Sequence, residues 1–265
     1  MFAFFGVSAI IVAVIRGLYF LPITNPAEIP DSKINIPILG VVPKADDEKE
    51  NSERYSQSIQ SLIVNIKNLE LDGQSNKVLL VTSPTPNNGK SFLSRELAIG
   101  FAKLQHKVLL IDNDLKRGTQ HKDLNLKKIP LSTFRDITNN NLDQFKIEEN
   151  FYTIPKISNL TNSFQFLYSA TYKEKMEIFK KEFDYIIIDT PPILSVSDTS
   201  ILMSYSDVNL SLVRHNLSKV NELKQQINLT NQLGIKFDGF IYNFYEKPSS
   251  YYGYYEIYGN YAYQY

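Results

Sequence analysis

Five short apolar runs, separated by stretches of helical periodicity, limit what this chain can fold into. They are Val78-Leu79-Leu80-Val81, Val108-Leu109-Leu110-Ile111, Tyr185-Ile186-Ile187-Ile188, Val208-Asn209-Leu210-Ser211-Leu212-Val213 and Gly239-Phe240-Ile241-Tyr242. Alternation of this kind predicts an α/β domain: a doubly wound, mostly parallel sheet wrapped by helices. Three of the runs end directly on polar residues. In such a sheet ligands bind beyond the carboxyl ends of the strands, so the residues after these runs are expected to converge.

After the first run come Ser83-Pro84-Thr85-Pro86-Asn87-Asn88-Gly89-Lys90-Ser91 and then a helical stretch over 92–104. Holding a phosphate takes backbone N–H groups in a turn at a helix N-terminus, a lysine for the outer phosphoryl oxygens and a hydroxyl for magnesium. Gly89, Lys90 and Ser91 supply these parts, with Asn87, Asn88 and Phe92 as neighbouring nucleotide contacts. The standard loop has glycine five residues before Gly89; Pro84 stands there instead. The second run ends in Asp112-Asn113-Asp114. Alternation along an extended segment points both carboxylates to one side. One can hold magnesium and the other can accept a proton from an attacking hydroxyl. An ordinary strand-end turn rich in Asp and Asn is the plainer reading, but beside a phosphate loop the chemical one prevails. The third run ends in Asp189-Thr190-Pro191-Pro192, which puts a carboxylate opposite Ser91.

The ends of the chain read differently. Residues 1–22 are apolar but for a few positions, long enough for a membrane span with Arg16 toward its cytoplasmic end. Residues 23–51 carry Pro26, Pro30, Pro37 and Pro43 and end in charge, the composition of a juxtamembrane linker without a core. From Ser52 the spacing of Ile59, Leu62, Ile63, Ile66 and Leu69 predicts an amphipathic helix leading into a domain over 52–245. Residues 246–265 form a tail. Eight of the 17 tyrosines lie between Tyr251 and Tyr265, at neither helix nor strand period. With no cysteine, thiolate metal sites and cysteine nucleophiles are excluded. The 28 basic residues balance the 28 acidic ones, so no nucleic-acid partner is expected.

The Gly-Lys-Ser loop, Leu-Leu-Ile-Asp-Asn-Asp-Leu-Lys-Arg-Gly and Phe-Asp-Tyr-Ile-Ile-Ile-Asp-Thr-Pro-Pro resemble the Walker A, A′ and B motifs of bacterial tyrosine kinases. The apolar segment followed by Asn25-Pro26-Ala27-Glu28-Ile29 resembles the last transmembrane helix and cytoplasmic exit of the Wzc-like capsule and exopolysaccharide copolymerases. The tail resembles the tyrosine cluster that these kinases phosphorylate in trans. The resemblance implies a P-loop NTPase fold of the MinD and ParA type, with ATP and magnesium as cofactors. It implies phosphate binding by Lys90, magnesium binding by Ser91 and Asp189, and service to metal and incoming tyrosine by Asp112 and Asp114. Asn243 would contact the adenine and Arg214 the nucleotide rim. Tyr251, Tyr252, Tyr254, Tyr255, Tyr258, Tyr261, Tyr263 and Tyr265 would accept phosphate. Implied partners are further copies of the chain, the polysaccharide polymerisation and export machinery, a tyrosine phosphatase and the bacterial inner membrane, with the catalytic domain cytoplasmic.

There are departures. The family's Glu-x-x-Arg-x-x-Arg ring contact is replaced by Gln57, Gln60 and Ile63. Its Asn-Pro-Ser-Glu-Leu-Leu segment is replaced by Asn162-Ser163-Phe164-Gln165-Phe166-Leu167. The family's periplasmic domain has no counterpart in these residues. The alternatives are a MinD-like membrane ATPase switch and a nucleotide-binding scaffold. The first usually has a second lysine early in its P-loop, and this loop has none.

Overall fold

The computed structural model describes residues 21–29, 36–44, 49–69 and 77–246, without the side chains of 49–52. Strand β1 (Ile38–Pro43) comes first, followed by helix α1 (Lys49–Asn68), strand β2 (Lys77–Thr82), helix α2 (Lys90–Lys103) and strand β3 (Val108–Asp112). Shorter pieces come next: helix α3 (Gln120–Asp123), strand β4 (Ile129–Pro130), helix α4 (Leu131–Arg135), and strands β5 (Lys146–Glu148), β6 (Phe151–Ile154) and β7 (Ile157–Ser158). The chain continues through helices α5 (Ser163–Leu167) and α6 (Ala170–Glu182), strand β8 (Tyr185–Asp189), helix α7 (Asp198–Leu202), strand β9 (Val208–Arg214), helix α8 (Val220–Gln232) and strand β10 (Gly239–Tyr245).

Eight strands form one sheet in the order β1-β10-β9-β2-β8-β3-β6-β5, while β4 and β7 make a small separate pair. Every pairing in the large sheet is parallel except that of β5 with β6. The five apolar runs are β2, β3, β8, β9 and β10. Their continuous apolar character follows from burial on both faces. Val78 and Leu80 of β2 face a core layer with Met176 and Phe179 of α6. Leu79 and Val81 face the opposite layer, with Leu62 and Ile66 of α1 and Leu97 and Phe101 of α2. Each such side chain contributes about 1.5–3 kcal/mol when fully buried, so packing on both faces fixes the strand register and with it the positions of the strand ends.

Residues 23–51 correct the expectation of a coreless linker. Ile23 and Ile29 are buried, and β1 lies parallel to β10 at the sheet edge with Leu39 and Val42 in the core. The prolines misled: the Pro37 carbonyl accepts the Phe240 N–H at 2.8 Å, and Pro43 ends an edge strand, where a missing N–H does little harm. Helix α1 begins at Lys49, three residues before Ser52. On it Gln57 and Gln60 are exposed, whereas Ile63 is buried. The expected membrane span lies outside the described residues except for Leu21 and Pro22. Among the described residues no helix is long and apolar enough to cross a membrane.

Candidate active site

β2 ends at Thr82 and α2 starts at Lys90; the turn between them needs left-handed backbone. Gly89 has φ +87°, and a Cβ there would lie 2.5 Å from both Asn243 Nδ2 and the Phe244 ring. Conformation and close approach both demand glycine. Asn87 is left-handed as well, with φ +66°. Asn88 is fully buried and pins the loop. Its amide donates to the Thr85 carbonyl at 2.7 Å, and its Oδ1 accepts from the Arg214 N–H at 3.2 Å and the Ser218 hydroxyl at 2.6 Å. The Ser83 and Pro84 carbonyls accept the N–H groups of Ile193 and Leu194. Side-chain and cross-loop bonds thus close the turn in which Pro84 replaces the usual glycine.

Lys90 is buried and its ammonium donates to Ser83 Oγ at 3.2 Å. Burial holds its pKa below the usual lysine value, while the charges of Asp189 and Asp114 act the other way. The carboxylates reach it from two strands. Asp112 and Asp189 are direct cross-strand neighbours at the ends of β3 and β8. Asp112 Oδ2 accepts the Gln120 N–H at 3.2 Å, and Asp189 Oδ2 accepts the Gln120 side-chain amide at 3.0 Å. The other oxygen of each, Oδ1, is buried without a partner. Burial, then the charges of Asp189 and Asp114, pushes the Asp112 carboxyl up to about 8. Burial also raises Asp189, with the Ser91 hydroxyl, the Gln120 amide and then Lys90 opposing. Gly118 leaves Asp112 its room: a Cβ there would meet Asp112 Oδ1 at 2.1 Å.

A cavity of about 550 Å³ opens above these groups, lined by Asn87, Gly89, Lys90, Ser91, Phe92 and Asp114 among others. Among the described residues no group of three or more His, Cys, Asp or Glu forms a ready-made metal cage. Magnesium does not require one, because it keeps several waters and takes one or two carboxylates plus substrate phosphates. Two orphaned buried carboxylate oxygens beside a phosphate loop fit that need.

A second hollow of about 440 Å³ shares Asn87 and is bounded by Arg214, His215 and Phe244. The Arg214 guanidinium bonds the Asn87 carbonyl and lies 4.1 Å from the centre of the Phe244 ring. Asn243 lies within β10, not after it. Its amide donates to the Asn88 carbonyl at 3.0 Å and its Oδ1 accepts the Phe244 N–H at 3.0 Å. In this geometry Asn243 braces the phosphate loop.

The structure therefore brings Asn87, Asn88, Gly89, Lys90, Ser91, Phe92, Asp112, Asp114, Asp189, Arg214 and Asn243 to one end of the sheet. The eight tail tyrosines lie outside the described residues. Sequence reasoning missed Gln120, which ties Asp112, Asp189 and the Ser91 carbonyl together, and Phe244, whose φ of +57° turns its ring toward Gly89. The one available signal for Gln120 was a polar residue two places beyond Gly118 in the Asp-Asn-Asp motif.

Residues 77–237 match the family model described as an AAA domain. The tyrosine-protein kinase ptk of Acinetobacter johnsonii is 34% identical over 224 residues, 82% of this chain and 29% of the relative. The tyrosine-protein kinase CpsD of Streptococcus pneumoniae is 31% identical over 205 residues, 74% of this chain and 88% of the relative. Among solved structures, the kinase domain of Escherichia coli tyrosine kinase ETK aligns with a TM-score of 0.73 at 22% identity, covering 85% of this chain and 95% of that one. The chain thus spans less than a third of the Acinetobacter relative's length and most of CpsD's. Its nucleotide-binding α/β domain carries the three strand-end motifs in one site, and the chain belongs to the bacterial tyrosine-protein kinase family.

Proposed function

We propose that this chain is the catalytic part of a membrane-anchored protein-tyrosine kinase that uses Mg-ATP to phosphorylate the C-terminal tyrosines of a neighbouring copy. The observation that carries the reading is the pair of cross-strand carboxylates, Asp112 and Asp189, each with a buried oxygen lacking a partner, beside a phosphate loop with a buried lysine. Lys90 and the N–H groups around 87–92 hold the phosphates. Ser91, Asp112 and Asp189 are the residues that would hold magnesium, which when bound offsets phosphate charge. Asp114, half-buried on the cavity wall, accepts the phenolic proton. The transfer breaks the bond between the γ phosphorus and the β–γ bridging oxygen and forms one from that phosphorus to the tyrosine Oη, leaving ADP.

Acceptors are Tyr251, Tyr252, Tyr254, Tyr255, Tyr258, Tyr261, Tyr263 and Tyr265. Each transfer adds nearly two negative charges, converting a sticky tail into a repelling one. This change links the kinase to capsule or exopolysaccharide polymerisation and export, with a phosphatase to reverse it. The apolar composition of 1–22 supports a membrane span, which would put the catalytic domain at the cytoplasmic face of the inner membrane. Phosphopeptide mass spectrometry of the chain incubated with Mg-ATP, beside a Lys90→Met control, tests the reading. Phosphotyrosine within 251–265, absent from the control, is expected. Hydrolysis dependent on Lys90 with no phosphotyrosine would replace the kinase by an ATPase switch.

A further inference from the structure

Next to the carboxylates lies a group of basic side chains that the phosphate chemistry above leaves unused. Ile154 of β6 pairs with Ile111 of β3, so Lys156, two residues on, emerges beside Asp112. The Lys156 carbonyl accepts the Ile129 N–H at 3.2 Å, and the pairing of β4 with β7 brings Lys128 alongside. His121 and Lys122 come from α3, whose first residue, Gln120, is bonded to Asp112. Lys156 and His121 are only 9% and 8% exposed, and His121 Nδ1 is buried without a partner. Lys122 and Lys128 are exposed, and no ion pair among the described residues engages them or Lys156. Burial first, then Lys128, holds Lys156 below its ordinary pKa, with the charges of Asp112 and Asp114 opposing; burial, then Lys128, Lys122 and Lys156, does the same to His121, with Asp123 opposing. Bases pressed together in this way favour an anion arriving from outside.

Strand order says where that anion would sit. The phosphate loop follows β2, Asp189 ends β8, Asp112 ends β3 and Lys156 follows β6, and these strands are consecutive neighbours; His121 and Lys122 come from α3, after β3, and Lys128 stands just ahead of β4. The carboxylates therefore lie between the phosphate loop and the cation cluster, and a peptide presented to Asp114 passes beside the latter. Unmodified, residues 251–265 hold eight tyrosines and a single acidic side chain, Glu256. Such a segment offers the cluster almost nothing until a first phosphate is added. Adjacent pairs, Tyr251-Tyr252 and Tyr254-Tyr255, would then carry an anion beside an unmodified acceptor.

We propose that Lys122, Lys128, Lys156 and His121 form a docking site for a phosphotyrosine of the incoming tail, making a once-phosphorylated tail the preferred substrate for further transfers. This rests on the kinase reading and adds the order of phosphorylation: slow first transfer, faster later ones. Each later transfer uses a fresh ATP and follows the same bond changes as the first.

Two labelled peptides covering 250–265, one unmodified and one phosphorylated at Tyr254, test the proposal with the full chain. Fluorescence anisotropy gives their affinities and mass spectrometry their rates of phosphorylation with Mg-ATP. The phosphopeptide is expected to bind and react roughly tenfold better, an advantage that shrinks with added salt. The ratio should fall to about one in the Lys122→Ala/Lys128→Ala double variant, whose changes are at exposed positions, and fall partway in Lys156→Met. Equal affinity of the two peptides for wild type, or an advantage retained by the double variant, would overturn it. So would a cluster that distinguishes neither peptide yet binds phosphatidylserine vesicles in wild type alone. If neither peptide is phosphorylated, the kinase reading fails, while the anisotropy ratio still decides the docking site.

Discussion

Asp112 shows how a single residue can set both stability and chemistry. Its carboxyl is raised from about 3.8 to about 8, so between those values the folded chain holds a proton that the unfolded chain has released. Its contribution to stability is therefore full below pH 4 and is lost as pH rises toward 8. Unfolding by urea at pH 5.5 and pH 8, without nucleotide, should show wild type losing more stability over this interval than Asp112→Asn. Equal slopes would mean that the site holds no such proton. The positions of Lys90 and Asp189 were legible in the sequence because one motif opens a helix after a strand and the other closes a strand. Gln120 was not, since its two carboxylate contacts exist only once β3 and β8 are in register. Asn243 was legible as a position but not in its contacts, because its amide is committed to the Asn88 carbonyl and the Phe244 N–H.

At the scale of elements, five of the six interior strands, all but the four-residue β6, announced themselves because double-sided burial leaves a mostly apolar run. β1 did not. It is short, flanked by proline and lies at the edge, and its partner β10 is about two hundred residues away in the chain. No local pattern encodes a pairing of that separation. Its contribution is measurable through Leu39, which is 2% exposed and packs where a Cβ on Gly239 would lie 2.3 Å from Leu39 Cδ1. Leu39→Ala should cost about 2–5 kcal/mol in a denaturant titration. A linker residue would cost nearly nothing. α3 illustrates the opposite limit: four residues are too few for any period, yet they deliver Gln120, His121 and Lys122 to the carboxylates.

At the scale of the whole molecule, the mostly parallel sheet gathers the candidate site residues at one end, and this followed from the strand pattern alone. Linkage makes it testable. Nucleotide at a hundredfold over its Kd stabilises a folded protein by about 2.7 kcal/mol. Thermal unfolding with ATP should show a further upward shift on adding magnesium, and Asp189→Asn should abolish that increment while leaving much of the shift due to ATP alone. Overall charge balance concealed the cation cluster, because a sum over 265 residues carries no positions. Finally, β1 and β10 run parallel, and the ion pair between Lys44 and Glu246 at 2.9 Å joins the two points where the chain leaves them. The tail accordingly departs from the end of the sheet that holds the nucleotide site. A fully extended chain covers at most 3.3–3.6 Å per residue, so Tyr251 can lie no more than roughly 18 Å from Glu246, whereas Tyr265 can reach roughly 68 Å. Under the proposed kinase reading, reach alone would divide the tyrosines: the first would meet only sites near the rim of this end of the sheet, and the last would meet sites a domain's width away.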